Sequence, residues 1–466
     1  MSAPSLETTP IPGLLVVHIP VLADGRGWFK ESWQREKMIA IGLPDFGPVQ
    51  NNISFNAVRG ATRGIHAEPW EKLVSVASGR VFGAWVDLRA GASFGSTYWI
   101  EIDPSIAVFV PRGVGNSYQS LADATAYSYL VNEHWRPGVD YPALDLGDPS
   151  AAIPWPIPLA EAEISEKDRR NPQLSDIVPM TSRRTLILGC RGQLGRALAA
   201  EFPEADRVDV GDLDITDPVA VDGWPWWQYD VVLNAAAYTA VDAAETAEGR
   251  MACWSTNALA PALLARVAAE HRFVLVHYSS DYVFDGRVEE HAEDEPVSPL
   301  SVYGQSKAAG DLAVAGHGRH YILRTSWVIG EGKNFVRTMA ELARRGDCPA
   351  VVDDQWGRLT FADELARATR HLLDASHPYG TYNVTNAGPV MSWWDLAREI
   401  FVLHDREPLD VRAVTTAEYS EGKPHAERPR HSALALKKIR ATAFVPEAVT
   451  SSLRRYLTEE RSRPSA

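Results

Sequence analysis

Gly189-Cys190-Arg191-Gly192-Gln193-Leu194-Gly195 is a glycine-rich turn between the apolar segment Arg184–Leu188 and the helical pattern Arg196–Glu201. Glycines at this spacing allow a tight turn and let the backbone approach a pyrophosphate, which the free N–H groups of a helix N-terminus attract. A glycine fingerprint alone is weak evidence for a dinucleotide site, because a simple turn can have the same pattern. A strand before the loop and a helix after it favour the dinucleotide site. We therefore predict that this loop binds a cofactor through Gly189, Arg191, Gly192, Gln193, Leu194 and Gly195.

Strands and helices alternate after about residue 180. Strand-like apolar runs occur at Asp230–Asn234, Phe273–Ser279 and His320–Arg324, and the helical patterns Ala258–Glu270 and Tyr303–Ala315 separate them. This alternation is typical of βαβ units with a parallel sheet. We predict an α/β Rossmann domain over residues 176–466, in which the charged tail 451–466 frays.

Residues 13 to about 135 instead show short β-rich segments separated by glycine turns. The segments are Leu14–Ile19, Lys72–Val76, Val81–Leu88, Thr97–Ile102, Ala107–Val110 and Tyr127–Val131. Many short strands of this kind indicate a sandwich or a jelly-roll barrel. We predict an all-β domain over residues 1–175, with the boundary in the polar stretch Arg169–Arg183.

The composition is that of a globular chain with an acidic balance. The 466 residues carry a net charge of -14, and 45% of them are hydrophobic. The acidic balance argues against nucleic acid as the main partner. Cys190, Cys253 and Cys348 are far apart, so we expect reduced thiols rather than disulfides or a metal site. We see no secretory signal and no membrane-spanning run, and expect a cytoplasmic protein.

Tyr303 and Lys307 lie four residues apart, on one face of a predicted helix. A lysine cation near a phenol favours the phenolate, so we expect Lys307 to lower the pKa of Tyr303 below about 10. Such a phenol can give a proton to a ketone oxygen during hydride transfer. The pair alone would indicate only a solvated helix face. Its place after the glycine loop and after Asn234–Tyr238, where small residues leave room for a cofactor, favours a reductase.

This half of the chain resembles the extended short-chain dehydrogenase/reductases, most closely the dTDP-4-dehydrorhamnose reductase family, over about residues 184–460. The likeness rests on Asn234–Asp242, Ser280–Gly286, Tyr303, Lys307, Arg324–Val328, Asn334, Phe335, Asp354 and Gln355. It implies that Ser280, Tyr303 and Lys307 are catalytic. It also implies that Asp281 and Tyr282 face the sugar. Leu359 occupies a position where the family often has proline. We expect this difference to change the shape of the local loop and not the chemistry.

The acidic residues after the second predicted strand, Asp209, Asp212 and Asp214, leave the choice of cofactor open. An acid on a ribose hydroxyl favours NADH, whereas an arginine such as Arg191 accepts the extra phosphate of NADPH. We expect NADPH, with some use of NADH. Besides the glycine loop, the resemblance implies cofactor contacts at Asp214, Ala235, Ala236, Ala237, Tyr303 and Lys307.

In the N-terminal half, His66 stands out because Arg63 precedes it and Lys72 follows it. There is no His-x-His pair and no third ligand at a suitable spacing, so we predict no metal. A histidine with a nearby cation fits the removal of a proton next to a carbonyl, which needs a base and a stabilised enolate oxygen. A barrel that only binds, with a structural His66, is the alternative.

This segment resembles the dTDP-4-dehydrorhamnose 3,5-epimerase family, a dimeric jelly-roll (cupin-like) family, over about residues 10–180. The likeness rests on Asp24–Glu31, Gln50–Ser54, Arg63–His66, Lys72–Val74, Val86–Arg89, Pro111–Gly113, Asp148, Pro149, Trp155, Pro156 and Ser165–Asp168. It implies that His66 is the base, that Asp168 orients it, and that Tyr129 is the opposing acid. Lys72 and Arg63 would stabilise the enolate. The nucleotide would be held, partly across a homodimer interface, by Arg26, Glu31, Gln50 and Asn52.

Three features depart from the epimerase pattern: Asn116 replaces a usual histidine, Trp135 replaces a usual tyrosine, and the loop from His66 to Lys72 is short. They leave open whether both C3 and C5 are inverted.

The two resemblances name consecutive steps towards dTDP-L-rhamnose, so the chain is similar to a fused epimerase and reductase. The alternatives are a pair that makes another dTDP-deoxysugar and a non-catalytic regulatory subunit. Some related reductases dimerise around a divalent cation, for which the sequence gives no position.

Overall fold

In a computed structural model of the chain, residues 3–134, 141–375, 377–422 and 424–462 are described. The chain forms two compact units, Met1–Ser182 and Arg183–Ala466. The division lies at the end of the polar stretch Arg169–Arg183.

The regular secondary structure of the first unit is almost entirely β-strand. The strands are β1 (Ser5–Thr8), β2 (Leu15–His18), β3 (Leu22–Asp24), β4 (Gly27–Phe29), β5 (Gln50–Asn56), β6 (Thr62–His66), β7 (Lys72–Ser78), β8 (Val81–Asp87), β9 (Thr97–Ile102), β10 (Ile106–Val110), β11 (Val114–Ser120) and β12 (Thr125–Val131). A short helix, α1 (Arg35–Ala40), precedes β5, and 3-10 turns form at Asp168–Arg170 and Leu174–Asp176.

Two large antiparallel sheets form the body of this unit, and β3 and β4 form a separate two-stranded hairpin. One large sheet has the order β1-β2-β10-β7-β12-β5 and the other β6-β11-β8-β9. Alternate residues of the strands point inward, so Val74 and Val108 of the first sheet and Trp85 and Tyr118 of the second share one buried core. The architecture confirms the predicted all-β jelly-roll.

Six strands of this unit were not predicted from the apolar pattern, namely β1, β3, β4, β5, β6 and β11. Strands β5, β6 and β11 contain polar residues and glycines, for example Arg63-Gly64 in β6 and Gly115-Asn116-Ser117 in β11. Their strand structure comes from pairing with neighbours and from burial, which override weak local propensity.

The second unit alternates strands and helices. Its strands are β13 (Arg184–Leu188), β14 (Asp206–Val208), β15 (Tyr229–Asn234), β16 (Val274–Ser280), β17 (His320–Thr325), β18 (Val328–Ile329), β19 (Ala350–Val352), β20 (Trp356–Gly357), β21 (Thr360–Phe361), β22 (Gly380–Asn383), β23 (Met391–Ser392) and β24 (Arg412–Val414). Its helices are α2 (Gln193–Glu201), α3 (Pro218–Gly223), α4 (Ala247–Trp254), α5 (Ala260–His271), α6 (Val302–Ala315), α7 (Phe335–Arg345), α8 (Ala362–Asp374), α9 (Trp393–Val402), α10 (Thr416–Ser420), α11 (Lys437–Ala441) and α12 (Val449–Ser462).

Six parallel strands form the central sheet, in the order β14-β13-β15-β16-β17-β22. Helices cover both faces: Leu198 and Leu365 of α2 and α8 pack on one, and Leu264 and Val314 of α5 and α6 on the other. This layering confirms the predicted Rossmann fold. One predicted helix begins differently, because a π-helical turn, Ser255–Leu259, precedes α5.

Residues 451–462 of the C-terminal tail, which was predicted to fray, are helical, and 463–466 lie outside the described residues. The helical residues belong to α12, where Leu453 and Leu457 are 1% and 4% exposed and pack against α7 and α9. The charged residues of the tail lie on the other face of an amphipathic helix. A prediction from the charged composition alone therefore missed the apolar stripe. No helix in the part of the chain that the structure describes is both long and apolar enough to cross a membrane.

Candidate active sites

The centre of the first unit is a cavity of about 550 Å³, which contains His66 and Asp168. His66 Nε2 lies 2.8 Å from Asp168 Oδ1. Burial acts to raise the pKa of the Asp168 carboxyl, but hydrogen bonding and charge from His66, with the Gly64 N–H, hold it below the ordinary value. Asp168 is therefore an anion that accepts from Nε2–H, which leaves the lone pair of His66 on Nδ1.

A bulge in β6 brings Arg63 and His66 to the same cavity. Asn116 of β11 pairs with His66, but Tyr118 pairs with Arg63, so β6 holds one residue more than β11 in this interval. Residues three apart in a regular strand point to opposite faces, and the extra residue turns them to one. Gly64 permits the close approach, because a Cβ there would lie 2.7 Å from the Asn116 carbonyl oxygen.

Lys72 and Tyr129 extend from neighbouring strands into the cavity. Lys72 Nζ lies 5.9 Å from the centre of the Tyr129 ring. Burial and the charge of Glu68 raise the pKa of Tyr129, which keeps the phenol protonated. The structure thus brings together five predicted residues: Arg63, His66, Lys72, Tyr129 and Asp168.

The cavity also contains residues that the sequence reasoning did not assign. Glu68 forms an ion pair with Lys72. Asn116, noted as a departure, accepts from Trp85 Nε1 at 2.9 Å and from the Tyr127 hydroxyl at 3.1 Å, so its amide oxygen is fully used in orienting the cavity wall. Glu68 lies two residues beyond the end of β6, outside any strand, and its place four residues before Lys72 was the only sequence signal for it.

The predicted nucleotide contacts lie elsewhere on the unit. Arg26 pairs with Asp24, Glu31 pairs with Lys37, and Gln50 donates to Asn52 at 2.8 Å. None of Arg26, Glu31, Gln50 and Asn52 is among the described residues that line the cavity of the same chain. Trp135 lies outside the described residues.

The glycine loop of the second unit forms one wall of a cavity of about 300 Å³ at the carboxyl ends of β13 and β14. A Cβ at Gly195 would lie 2.1 Å from the Gly189 carbonyl oxygen, and one at Gly189 would lie 2.7 Å from Ala236 N. Only glycine fits these contacts. Helix α2 begins at Gln193 and points its free N–H groups toward the loop, as a dinucleotide pyrophosphate requires. The residues therefore fit a dinucleotide.

Arg191, Asp209, Asp214 and Ala235–Ala237 line this cavity. Both oxygens of Asp209 are occupied by backbone N–H groups: Oδ2 accepts from Arg191 N at 2.9 Å and Oδ1 from Val210 N at 3.0 Å. Asp209 therefore shapes the loop. Gln193 is not among the described residues that line this cavity, and its side chain accepts instead from Gly330 N at 2.8 Å.

Ser280, at the end of β16, lies beside the Tyr303 phenol of α6, and its interaction with the phenol acts to lower the pKa of Tyr303. The Ser280 hydroxyl donates to Asp281 Oδ1 at 2.9 Å. The expected lowering of the Tyr303 pKa by Lys307 is wrong for this structure. Burial, followed by the Asp281 charge, raises the pKa of Tyr303 well above its ordinary value.

Lys307 is 2% exposed and donates to the Tyr278 carbonyl at 2.6 Å. Its ammonium is thereby directed to the backbone of β16. Burial lowers its pKa to about 8 against the opposing charge of Asp311. His277 Nε2 lies 3.5 Å from Lys307 Nζ, and burial lowers the pKa of that imidazole well below its usual value, so it is neutral.

A second cavity of this unit, of about 440 Å³, adjoins Tyr282. Its aromatic wall includes Trp393, which stacks on Trp327 with ring centres 3.7 Å apart. Arg428, which the sequence reasoning missed, lines it and donates to Asp242 at 2.9 Å. Tyr282 lines this cavity. Asp281, in contrast, is 2% exposed, accepts from the Ser280 hydroxyl and is not among the described residues that line the cavity. The contacts of both residues with the sugar stay predictions.

Leu359, the departure from proline, is buried in the core of the helical part. Within the described ranges, no group of three or more His, Cys, Asp or Glu side chains is arranged to hold a metal ion.

A β-sandwich with a His–Asp pair in its cavity, followed by a dinucleotide-binding unit with a Ser–Tyr–Lys set, defines an isomerase joined to an NAD(P)-dependent oxidoreductase. The chain belongs to the dTDP-4-dehydrorhamnose 3,5-epimerase family over residues 8–176 and to the RmlD substrate binding domain family over residues 183–462. These families confirm the predicted fusion, whose two parts are the epimerase and the reductase of dTDP-L-rhamnose biosynthesis.

Individual relatives match one unit each. The first unit is 50% identical over 181 residues to the RmlC homolog of Streptococcus pyogenes, and the match covers 37% of this chain and 91% of that protein. The second unit is 41% identical over 275 residues to a probable dTDP-4,6-dihydroxy-2-methyloxan-3-one 4-ketoreductase of Streptomyces antibioticus, and the match covers 56% of this chain and 90% of that protein. A solved dTDP-4-dehydrorhamnose reductase of Bacillus anthracis in complex with NADP is 32% identical, with a TM-score of 0.54, and covers 60% and 99%.

Proposed function

We propose that the first unit converts dTDP-4-keto-6-deoxy-D-glucose into dTDP-4-keto-L-rhamnose and that the second reduces this ketone at C4 to dTDP-L-rhamnose. The observation that carries the proposal is the coexistence, in one chain, of the His66–Asp168 pair at 2.8 Å and the Ser280–Tyr303 contact beside Lys307.

The epimerase step begins at His66. Nδ1 takes the proton from a carbon next to the C4 ketone, and the electron pair moves to the C4 oxygen. Lys72 and Arg63 stabilise that enolate oxygen by their positive charge. Tyr129 gives a proton to the opposite face of the same carbon, which inverts it, and Asp168 stabilises the imidazolium.

The reductase step uses Tyr303 as the proton donor to the C4 oxygen. NADPH, when bound, supplies the hydride to C4. Ser280 lies beside the phenol and orients it, and Asp281, which accepts from the Ser280 hydroxyl, acts through Ser280. Lys307 binds the nicotinamide ribose. Tyr282 contacts the sugar, and Arg428 offers a positive charge to the diphosphate of the substrate.

NADPH is the preferred cofactor in this proposal, and NADH is used less efficiently. Asp209 is held by two backbone N–H groups, so it is poorly available for a ribose hydroxyl. Arg191 lines the same cavity, and its guanidinium suits a 2′-phosphate. The relative solved with NADP supports this choice. No divalent cation is assigned. Since both substrates are small anions, we also propose a cytoplasmic location.

The homodimer proposed from the epimerase resemblance has support in the exposed surface of the first unit. Strand β5 is at the edge of its described sheet, and Ile53 and Phe55 on it are 66% and 61% exposed. Trp28 and Phe29 of the β3–β4 hairpin are 45% and 63% exposed. Apolar groups so placed favour an interface between copies. The nucleotide contacts Arg26, Glu31, Gln50 and Asn52 then serve the partner's cavity.

We expect Ile53→Asp to convert a dimer of 51.3 kDa chains into monomers, because it places a charge in the apolar interface. Sedimentation analysis measures the mass. Val219→Asp, at a position 80% exposed in the second unit, is the control that should leave the dimer intact. A wild-type chain that sediments as a monomer would remove the dimer from the proposal.

The function itself is tested by mixing the purified chain with dTDP-4-keto-6-deoxy-D-glucose and either NADPH or NADH. Cofactor oxidation, with dTDP-L-rhamnose identified by NMR and a higher kcat/KM for NADPH, is expected. Oxidation that yields the other C4 stereoisomer would favour another dTDP-deoxysugar, an alternative consistent with the ketoreductase relative. Absence of oxidation with both this ketone and dTDP-4-keto-L-rhamnose would favour a binding subunit.

A further inference from the structure

Glu68 is a buried acid of the epimerase cavity to which neither the sequence motifs nor the proposed steps give a role. Its side chain is 17% exposed, and it forms an ion pair with Lys72, whose side chain is 5% exposed. A buried ammonium is costly unless a carboxylate compensates it, so Glu68 is what makes a cation tolerable at this depth.

The charge of Glu68 also reaches the Tyr129 phenol. Burial is the largest influence that raises the pKa of Tyr129, and the Glu68 carboxylate is the next, while Arg63 acts in the opposite direction. Lys72 Nζ pairs with Glu68 and lies 5.9 Å from the centre of the Tyr129 ring. An acid that must deliver a proton is useful only in its protonated form.

Other charged and titratable groups face the same space and must be weighed against Glu68. Those that line the cavity besides Glu68 and Tyr129 are Arg63, His66, Lys72, Tyr118, Tyr127, Glu163 and Asp168. Asp168 is committed to His66 at 2.8 Å, and Glu163 is exposed to solvent, which weakens its charge. Glu68 is therefore the carboxylate best placed to act on Tyr129.

We propose that Glu68 is a positioning residue of the epimerase site: its carboxylate holds the Lys72 ammonium at the cavity and keeps the Tyr129 phenol protonated for delivery to the substrate. The inference rests on the proposed epimerase function. Lys72 is thereby oriented toward the substrate, and Tyr129 remains a proton donor.

The test is the pH profile of solvent deuterium incorporation at C3 and C5 of dTDP-4-keto-6-deoxy-D-glucose, measured without cofactor on the full chain. Glu68→Gln keeps the size and removes the charge. We expect its alkaline limb to move to lower pH by about one unit, because the phenol then loses its proton more easily. We expect the incorporation rate at neutral pH to fall about tenfold. Glu68→Asp restores the charge and should return the limb close to that of the wild type.

Glu101→Gln is the matched control, since Glu101 forms an exposed pair with Arg80 at 3.7 Å on β9 and should leave the profile unchanged. A Glu68→Gln chain that folds, as judged by its thermal unfolding, but keeps the wild-type alkaline limb would overturn the inference even if its rate fell. A wild-type chain without any incorporation would instead overturn the proposed epimerase function, so the two failures are distinguishable.

Discussion

The His66→Ala chain should incorporate no measurable deuterium at C3 or C5 of dTDP-4-keto-6-deoxy-D-glucose, a loss of about 10²–10⁴-fold. The imidazole is the base of the proposed step, and its Nδ1 lone pair is available because Nε2 is bound to Asp168 at 2.8 Å. NMR of the sugar in heavy water measures the incorporation. The same chain should still oxidise NADPH when it is given dTDP-4-keto-L-rhamnose, because the second unit is unchanged.

His18→Ala is the control for this prediction, since His18 also pairs with a carboxylate, Glu7, at 3.2 Å, but on the exposed surface. It should leave incorporation at the wild-type rate. Asp168→Asn should give an intermediate rate, because the imidazole stays but loses the anion that orients it. Full incorporation by His66→Ala would exclude His66 as the base.

The Tyr303→Phe chain should lose about 10²–10⁴-fold in NADPH oxidation with dTDP-4-keto-L-rhamnose, because the phenyl ring has no proton for the C4 oxygen. Burial raises the pKa of Tyr303, so the phenol holds its proton across the usual assay range. Stopped-flow absorbance of NADPH measures the rate, and fluorescence titration measures whether the cofactor still binds. Deuterium incorporation by the first unit should be unaffected.

Tyr379→Phe provides the comparison for Tyr303→Phe, because Tyr379 is 43% exposed and its ring packs only against Tyr321 in the contacts that the structure describes. It should reduce the ketone at the wild-type rate. If Tyr303→Phe also did so, the proton would have to come from another group, and the assignment of Tyr303 as the acid would be lost.

The order of folds along this chain could be predicted from local signals. The glycine loop between β13 and α2 and the alternation after it are short-range patterns, and they lead to the correct Rossmann class. The strands with regular apolar alternation, such as Thr97–Ile102, also have the predicted bounds. Local patterns succeed here because the apolar periodicity of each element matches the face that it buries against its neighbours.

The parts that could not be predicted depend on groups distant in sequence. His66 and Asp168 are brought together across 102 residues, and only the family resemblance linked them. The β6 bulge depends on how β11 pairs with it, and no pattern within Thr62–His66 encodes that. The pKa of Tyr303 was predicted with the wrong sign, because one lysine four residues away was weighed without the burial of the phenol.

The joining of both units in one polypeptide fixes the stoichiometry of the two activities. Every chain that is translated adds one epimerase site and one reductase site, so regulation of expression changes their amounts together and never their ratio. The steady level of the keto intermediate is then set by the two turnover numbers and by cofactor supply. A substitution that slows only the reduction step at Tyr303 therefore cannot be corrected by extra copies of the chain. Each extra copy adds epimerase and reductase activity in the same unequal ratio, so the keto intermediate accumulates at every expression level.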